Sequence, residues 1–556
     1  MTVKDDVARL VGDALEEAQR TGALPAAAVE GVPIERPQNP EHGDYACSLP
    51  LKLAKPMRMS PMAIGEKLVA LMPLRGPFDA VQVAPPGFIN VRLSEAWLTQ
   101  QVDLIRQEGP AYGAVHVGDG RRVQVEFVSV NPTGPLHVAH ARGAVIGSAL
   151  ASVLEAAGYD VQREYYFNDA GNQIDLFNRS LYARYLQHFG REAELPPDGY
   201  VGDYMVDLAR ELAAEHGERF LEMPAEAGTA ELGRLGLARM LAAIKADVQL
   251  LRVHFDLWFS ERSLIDEGQL DRAMGLLRER DYVEEREGAV WFKSTSLGEE
   301  QDKVLVRSSG VPTYFATDVA YHYNKFIERG FDEVIDVWGA DHQGHVSQMK
   351  QVVGALGIPS ERLTLIVHQM VTLKRGDQVV RLSKRSGDLI TLRELVEEVG
   401  TDACRYFFLA RSPESHMEFD IELAKEQSAD NPVYYVQYAH ARIVSIIRLA
   451  DERGIDFAEG DVSLLTHPAE LALIRKMLLL PELVEMMARS LEPHHLPHYA
   501  AELATAFHTF YQQCRVVSSD PEDAAITRAR LKLVDAARTV LARSLSLMSM
   551  DAPDQM

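Results

Sequence analysis

From Arg122 onward the chain alternates strand and helix signals, and this alternation limits its possible folds more than any other feature. Val123, Val125 and Phe127 read as a strand, Asn131-Pro132-Thr133-Gly134-Pro135 as a turn, and residues 138–157 as a small-residue helix that Gly158 stops. A second strand over 161–167 and another helix after Gly171 complete a β-α-β-α unit. Strands joined by helical crossovers lie parallel, with the helices covering the sheet faces. The alternation resumes at Val334-Ile335-Asp336-Val337-Trp338 and again at Leu363-Thr364-Leu365-Ile366-Val367. The charged helical stretch of about 190–250 reads as an insertion between the two halves.

The expected fold class is therefore α/β, a Rossmann-like parallel-sheet domain over 116–425 with a partner on either side. Residues 1–115 open with an amphipathic helix (Val7, Leu10, Val11, Ala14, Leu15) and end in an alternating strand at Phe88-Ile89-Asn90-Val91-Arg92-Leu93, an α+β unit. Glycines and a proline between Gly109 and Gly120 mark the boundary. After about Phe419 strand signals vanish, and helical periodicity (Leu471, Ile474, Met477, Leu478; Leu531, Val534, Ala537, Val540, Leu541) gives an all-α bundle over 426–556. The length agrees, since 556 residues at about 100–200 per domain imply three or four domains.

Composition narrows the function. A net charge of −24 argues against binding DNA or anionic membrane through overall positive charge, though it leaves room for a local basic site. Cys47, Cys404 and Cys514 are too few and too scattered for a disulfide framework or a zinc ribbon. The first residues lack an apolar leader core, and no apolar run reaches the roughly 18 residues of a membrane span, so a cytoplasmic protein is expected.

Two motifs carry chemistry. In Asn131-Pro132-Thr133-Gly134-Pro135-Leu136-His137-Val138-Ala139-His140, a strand ends, the chain turns and two histidines open a helix. Ligands of open α/β sheets bind at the carboxyl ends of strands, where helix N-termini offer N–H groups to phosphate. Histidines three residues apart share a face there and suit an oxygen that gains charge in a transition state. The second motif is Arg381-Leu382-Ser383-Lys384-Arg385-Ser386-Gly387. Its segment holds Lys374, Arg375, Arg381, Lys384 and Arg385 against Asp377, a local anion site suited to a pyrophosphate.

This pair resembles the His-Ile-Gly-His and Lys-Met-Ser-Lys-Ser signatures of class I aminoacyl-tRNA synthetases. Here alanine, Ala139, stands where glycine is usual, and the second motif keeps Ser383 and Lys384 while replacing the first lysine and the methionine. The surrounding sequence resembles the arginyl-tRNA synthetases. The resemblance runs through Glu126-Phe127-Val128-Ser129-Val130-Asn131, Arg142-Gly143-Ala144 and Tyr165-Tyr166-Phe167-Asn168-Asp169-Ala170-Gly171-Asn172-Gln173. In the N-terminal unit it includes Asn39-Pro40-Glu41-His42-Gly43-Asp44-Tyr45-Ala46 and Pro86-Gly87-Phe88-Ile89-Asn90. Many members carry a lysine just before the first motif in place of the second-motif lysine. Here Pro135-Leu136 precede His137 and Lys384 is present.

The resemblance implies an arginine–tRNA ligase that uses ATP with Mg²⁺, in which His137, His140 and Lys384 are catalytic. ATP would meet these three with Gly339, Asp341 and Ser383. Arginine would be held by Ser129, Asn131, Glu261, Tyr314, Asp318 and His342. A guanidinium needs carboxylates that accept paired donors, and the i, i+4 spacing of Tyr314 and Asp318 puts both on one helix face. The helical tail resembles the anticodon-binding bundle, with Tyr434, Tyr438, Arg528 and Arg530 as tRNA contacts and further cations at Lys532, Arg538 and Arg543. The N-terminal unit resembles the additional domain that touches the outer corner of tRNA. A monomer is expected.

Two other readings stand beside it. His137, His140, Asp341, His342 and His345 together resemble a metal-ligand cluster, as in a metallohydrolase. The chain is also compatible with a noncatalytic tRNA-binding relative, against which the His137, His140 and Lys384 set argues.

Overall fold

The alternation produces the sheet it predicts. In the computed structural model, which describes residues 2–376, 378–380 and 390–556, five parallel strands lie side by side. Their order is Leu363–His368, Glu333–Gly339, Arg122–Phe127, Asp160–Phe167, Leu257–Ser260. The chain starts in the middle, winds outward to one edge and then returns to build the other, the doubly wound order whose reversal opens a crevice at the strands' carboxyl ends. Leu257–Ser260 is the strand that periodicity does not announce, because four residues are too few to establish a repeat.

The central strand has two unlike faces. Val123, Val125 and Phe127 join the main apolar core under the helix Val138–Ala156, which approaches so closely that a Cβ on Gly147 would stand 2.2 Å from the Phe127 ring. The opposite face carries Gln124 and Glu126, both buried. The helix Tyr314–Tyr323, continued by a π-turn over Asn324–Glu328, covers this polar face and hydrogen-bonds to it through Tyr321 and Lys325.

Between the halves, the helices Asp203–His216 and Ala225–Leu250 form their own core with Asn172–His188, built on Phe177, Leu181, Tyr185, Met205, Leu208 and Leu232. Residues 283–306 then form a small antiparallel sheet that strand alternation around 334 does not foreshadow. The strands Val371–Arg375, Gln378–Val379 and Met417–Asp420 make a third sheet, from which the chain enters residues 381–389.

The helix Val3–Arg20 buries the expected stripe and starts on a reciprocal cap between Thr2 and Asp5, of a kind worth about 1 kcal/mol. It packs on a four-stranded antiparallel sheet. This unit is fastened to the C-terminal helices by ion pairs: Arg36 with Glu482 at 2.9 Å, Arg475 with Asp44 at 2.6 Å and Arg106 with Asp535 at 2.8 Å. All three cysteines are buried and unbridged. Among the described residues no helix is long and apolar enough to cross a membrane.

Candidate active site

The site grows from the carboxyl edge of the parallel sheet. Just past the central strand, Val128 and Ser129 take positive φ angles of 70° and 45°. A β-branched residue in that region is rare and marks backbone that its surroundings hold in place. Those surroundings are identifiable. Tyr165 Oη donates to the Val130 carbonyl at 2.8 Å and accepts from the Val130 N–H at 3.1 Å, while Ser129 Oγ accepts from the Tyr166 N–H at 3.1 Å. Asn131 donates to Gln173 at 2.5 Å. Tyr204, from the helical insertion, donates to the Thr133 carbonyl at 2.8 Å and so steadies the turn that leads to His137.

His137 caps the helix Val138–Ala156. Its backbone N–H donates to Nδ1 of His140 at 3.1 Å, and the two rings lie nearly parallel with centroids 5.5 Å apart. With Nδ1 accepting, a neutral His140 carries its proton on Nε2, the nitrogen on the far side of the ring. The helix start also meets the chain that leaves residues 381–389. Leu392 N–H donates to the Leu136 carbonyl at 2.8 Å, and Val138 N–H to that of Ile390 at 3.4 Å. Ser383 and Lys384 themselves, with Arg381 and Arg385, lie outside the described residues. The local cation count needs correction, because Lys374 pairs with Glu418 at 2.6 Å and Arg375 with Glu398 at 2.6 Å and Glu422 at 3.1 Å. These two are neutralised by the sheet and helices that carry the loop.

Across the crevice, Gly339 ends its strand and the turn Ala340–His345 follows, with Asp341, His342 and His345 exposed. A Cβ on Gly339 would stand 2.6 Å from Asp341 Oδ1, so glycine lets this carboxylate fold back over the strand end. His342 Nε2 is 3.6 Å from Asp341. The rival metal reading is not supported here: among the described residues no three His, Cys, Asp or Glu side chains converge as ligands.

A recess lies beside this crevice. Asp318 is accessible to water yet surrounded by protein, a combination that describes the floor of a pocket. Removal from bulk water pushes its carboxyl up to about 7, with Glu261 and Glu126 adding to the rise and His322 and Lys325 opposing it. Glu261, buried at the start of the helix Glu261–Asp266, is also raised by burial, opposed by the nearby Tyr166 and Thr317 hydroxyls. Tyr314, one turn before Asp318 on its helix, is 52% exposed. Two carboxyls raised together make a place where a bound cation is favoured.

Behind the recess is a network that sequence reasoning missed. Asp336, Glu126 and Glu164 stand directly opposite one another on three adjacent strands, a row of buried acids. Lys325 donates to Glu126 at 2.5 Å and to Asp336 at 2.8 Å, and Arg329 donates to Glu164 at 2.9 Å. Burial would raise Asp336, but Lys325 and His322 outweigh it and hold the carboxyl at about 2. The signal was present: a charged residue in the middle of an apolar strand, as in Val-Ile-Asp336-Val-Trp, must be paired to be buried.

In the helical tail, the Tyr434 and Tyr438 rings stack at 6.2 Å, and Tyr438 stacks on His508 at 6.1 Å. Arg442 donates to the Tyr438 hydroxyl. Arg528 is exposed, whereas Arg530 donates to buried Glu470 at 2.7 Å and to the Arg515 carbonyl at 3.0 Å. Lys532 pairs with Asp103 at 3.0 Å and Arg538 with Asp535 at 2.7 Å. Three of the cations expected on the last helix thus have acidic partners, Lys532 across the junction with the N-terminal unit, Arg530 within the bundle and Arg538 on its own helix.

Comparison with known proteins bears on which class I chemistry this edge serves. Residues 102–408 match the model of the class I tRNA synthetase (R) catalytic domain, residues 5–93 the arginyl tRNA synthetase N-terminal domain, and 436–556 the DALR anticodon binding domain. The arginine–tRNA ligase of Dehalococcoides mccartyi is 56% identical over 556 residues, covering 100% of this chain and 99% of that one. The chain belongs to the arginine–tRNA ligase family. The family member of Heliobacterium modesticaldum is 47% identical over 561 residues, again covering 100% of this chain and 99% of its own. In fold, the chain matches the Thermus thermophilus arginyl-tRNA synthetase with a TM-score of 0.79 at 24% identity, over 100% of both chains.

Proposed function

We propose that the protein is an arginine–tRNA ligase that activates arginine with ATP and transfers it to the terminal adenosine of its cognate tRNA. The observation that carries this reading is the recess in which Asp318 feels the charge of Glu261, with both carboxyls held above the ordinary carboxylate range. An arginine guanidinium supplies a cation and presents paired donors to carboxylates. Tyr314 borders the recess, Ser129 and Asn131 hold the amino acid's α-groups, and His342 approaches from the neighbouring strand end. ATP lies across the crevice against Gly339 and Asp341, with His137, His140, Ser383 and Lys384 on its phosphates.

In the first step an oxygen of the arginine carboxylate bonds to the α-phosphorus of ATP and the bond to the bridging oxygen breaks, releasing pyrophosphate. In the second, a ribose hydroxyl of tRNA takes the acyl carbon and AMP leaves. No protein nucleophile is required; His137, His140 and Lys384 steady charge that grows on phosphate oxygens. Mg²⁺ brought with the ATP would neutralise charge on the phosphates that His137, His140 and Lys384 also steady.

The three units are assigned as 1–115 for the outer corner of tRNA, 116–425 for catalysis and 426–556 for the anticodon, in a cytoplasmic monomer. Tyr434 and Tyr438 offer a stacking surface to unpaired bases, and Arg528 a phosphate contact. The noncatalytic alternative has no observation in its favour. Pyrophosphate exchange measured with each amino acid, with and without tRNA, tests the assignment. Exchange with arginine alone among amino acids is expected, and its absence in the presence of cognate tRNA overturns the reading.

A further inference from the structure

Lys325 touches neither crevice nor solvent, yet it joins the two walls of the recess. Its ammonium is fully buried, donating to Glu126 at 2.5 Å and Asp336 at 2.8 Å and lying 4.1 Å from the Tyr321 ring centroid. Through Glu126 it reaches the strand end, because Glu126 lies on the central strand just before Val128 and Ser129, where the backbone is held at positive φ. Through Asp336 it reaches the helix of Asp318: Asp336 Oδ2 is 3.1 Å from His322 Nε2, and His322 Nδ1 is 2.8 Å from the Asp318 carbonyl oxygen. Both ring nitrogens of His322 thus face oxygen atoms, one on each wall.

Asp336, Glu126 and Glu164 thus meet Lys325, Arg329 and the His322 ring in one buried network. The pair Asp318 and Glu261 lies outside that network, so its negative charge remains for a ligand.

We propose that Lys325 is a positioning residue for arginine capture, holding the buried acid row that fixes the strand end at Ser129 and the helix carrying Asp318. The proposal rests on the arginine–tRNA ligase reading. Without the ammonium, Glu126 and Asp336 face each other uncompensated, the strand end and the helix separate, and Asp318 gains negative neighbours. The groups around Asp318 are His322 and Lys325 on its own helix and π-turn, Glu126 and Tyr166 on the strands, and Glu261 on the facing helix.

The test uses the full chain in pyrophosphate exchange with cognate tRNA from pH 6 to 9. Wild-type exchange with arginine comes first, since its absence defeats the functional reading and not the role of Lys325. Lys325→Met is expected to raise the arginine KM about tenfold at pH 7, to leave the ATP KM within about twofold, and to move the acid limb of kcat/KM for arginine to higher pH. Lys325→Met/Glu126→Gln, which removes one stranded charge, is expected to recover most of that loss. Should Lys325→Met not fold, Glu126→Gln alone is expected to move the acid limb to lower pH while Lys325 remains. A folded Lys325→Met that lowers kcat with arginine KM unchanged, a folded double variant no better than the single, or an unmoved limb in Glu126→Gln overturns the proposal.

Discussion

Leu392 donates its backbone N–H to the carbonyl oxygen of Leu136 across 2.8 Å, joining the residue before His137 to the chain that leaves the basic motif. The two motifs are far apart in sequence, yet this bond and the Val138 to Ile390 bond beside it set the exit of one against the entrance of the other. A phosphate gripped from both sides needs that alignment more than it needs either motif's own stability.

Leu392 is the first residue of the helix Leu392–Val399, a position where proline is tolerated, so Leu392→Pro removes the N–H without breaking the helix. Leu392→Ala removes the same buried side chain but keeps the bond. Relative to the alanine variant, proline is expected to lower kcat for arginine activation about fivefold, the value of a net hydrogen bond of about 1 kcal/mol. Equal rates for the two variants in pyrophosphate exchange would show the strap to be dispensable.

Asp318 makes arginine capture pH-dependent. Burial raises its carboxyl to about 7, and only the carboxylate holds a guanidinium, which stays cationic throughout. Hence kcat/KM for arginine is expected to climb between about pH 6 and 8 and level off above. Asp318→Asn should flatten that climb and raise the arginine KM by about 100-fold. Stability has the opposite sign. The folded carboxyl titrates above its unfolded value, so the stability it lends is complete below about pH 4 and is lost as pH rises toward 7. Denaturation of the ligand-free protein should show this loss, the Asn variant should lack it, and saturating arginine should reverse it.

What could be read in advance depended on period and on chemistry close in sequence. The central sheet announced itself because Val123, Val125 and Phe127 repeat with a strand's period and Gly158 stops a helix. His137 and His140, three residues apart, could be assigned to one helix start. Leu257–Ser260 and the sheet of residues 283–306 escaped because short strands take their stability from neighbours and show no period of their own. Lys325 was invisible for a different reason. Its partners Glu126 and Asp336 lie on separate strands, and only in-register pairing reveals that a lysine on a helix meets both.

Arg142 shows how a residue in the motif region serves the scaffold. It is fully buried and donates to the carbonyls of Gln369 and Ser415 and, from its other nitrogen, Ser412, each at 2.8 Å. Arg142→Met leaves three carbonyls without their donor, at a cost of about 3 kcal/mol. Thermal unfolding followed by circular dichroism should shift downward by about 3–5 °C. A shift within about 1 °C would mean that water or another donor takes over these carbonyls.

Arg528 and Arg530 stand two residues apart on the last helix and differ in what they bind. Arg528 is exposed, whereas Arg530 is bound to Glu470, whose side chain is almost wholly buried. If tRNA is met by a phosphate contact at this surface, Arg528→Ala weakens tRNA binding and lowers the slope of log affinity against log salt by about one contact's worth. Arg530→Ala instead strands a buried carboxylate, so it should destabilise the bundle by about 3 kcal/mol and leave the salt slope unchanged. Filter-binding titrations across salt, run beside urea denaturation, distinguish the two. A reduced slope for Arg530→Ala with unaltered stability would place the RNA on the other side of this helix.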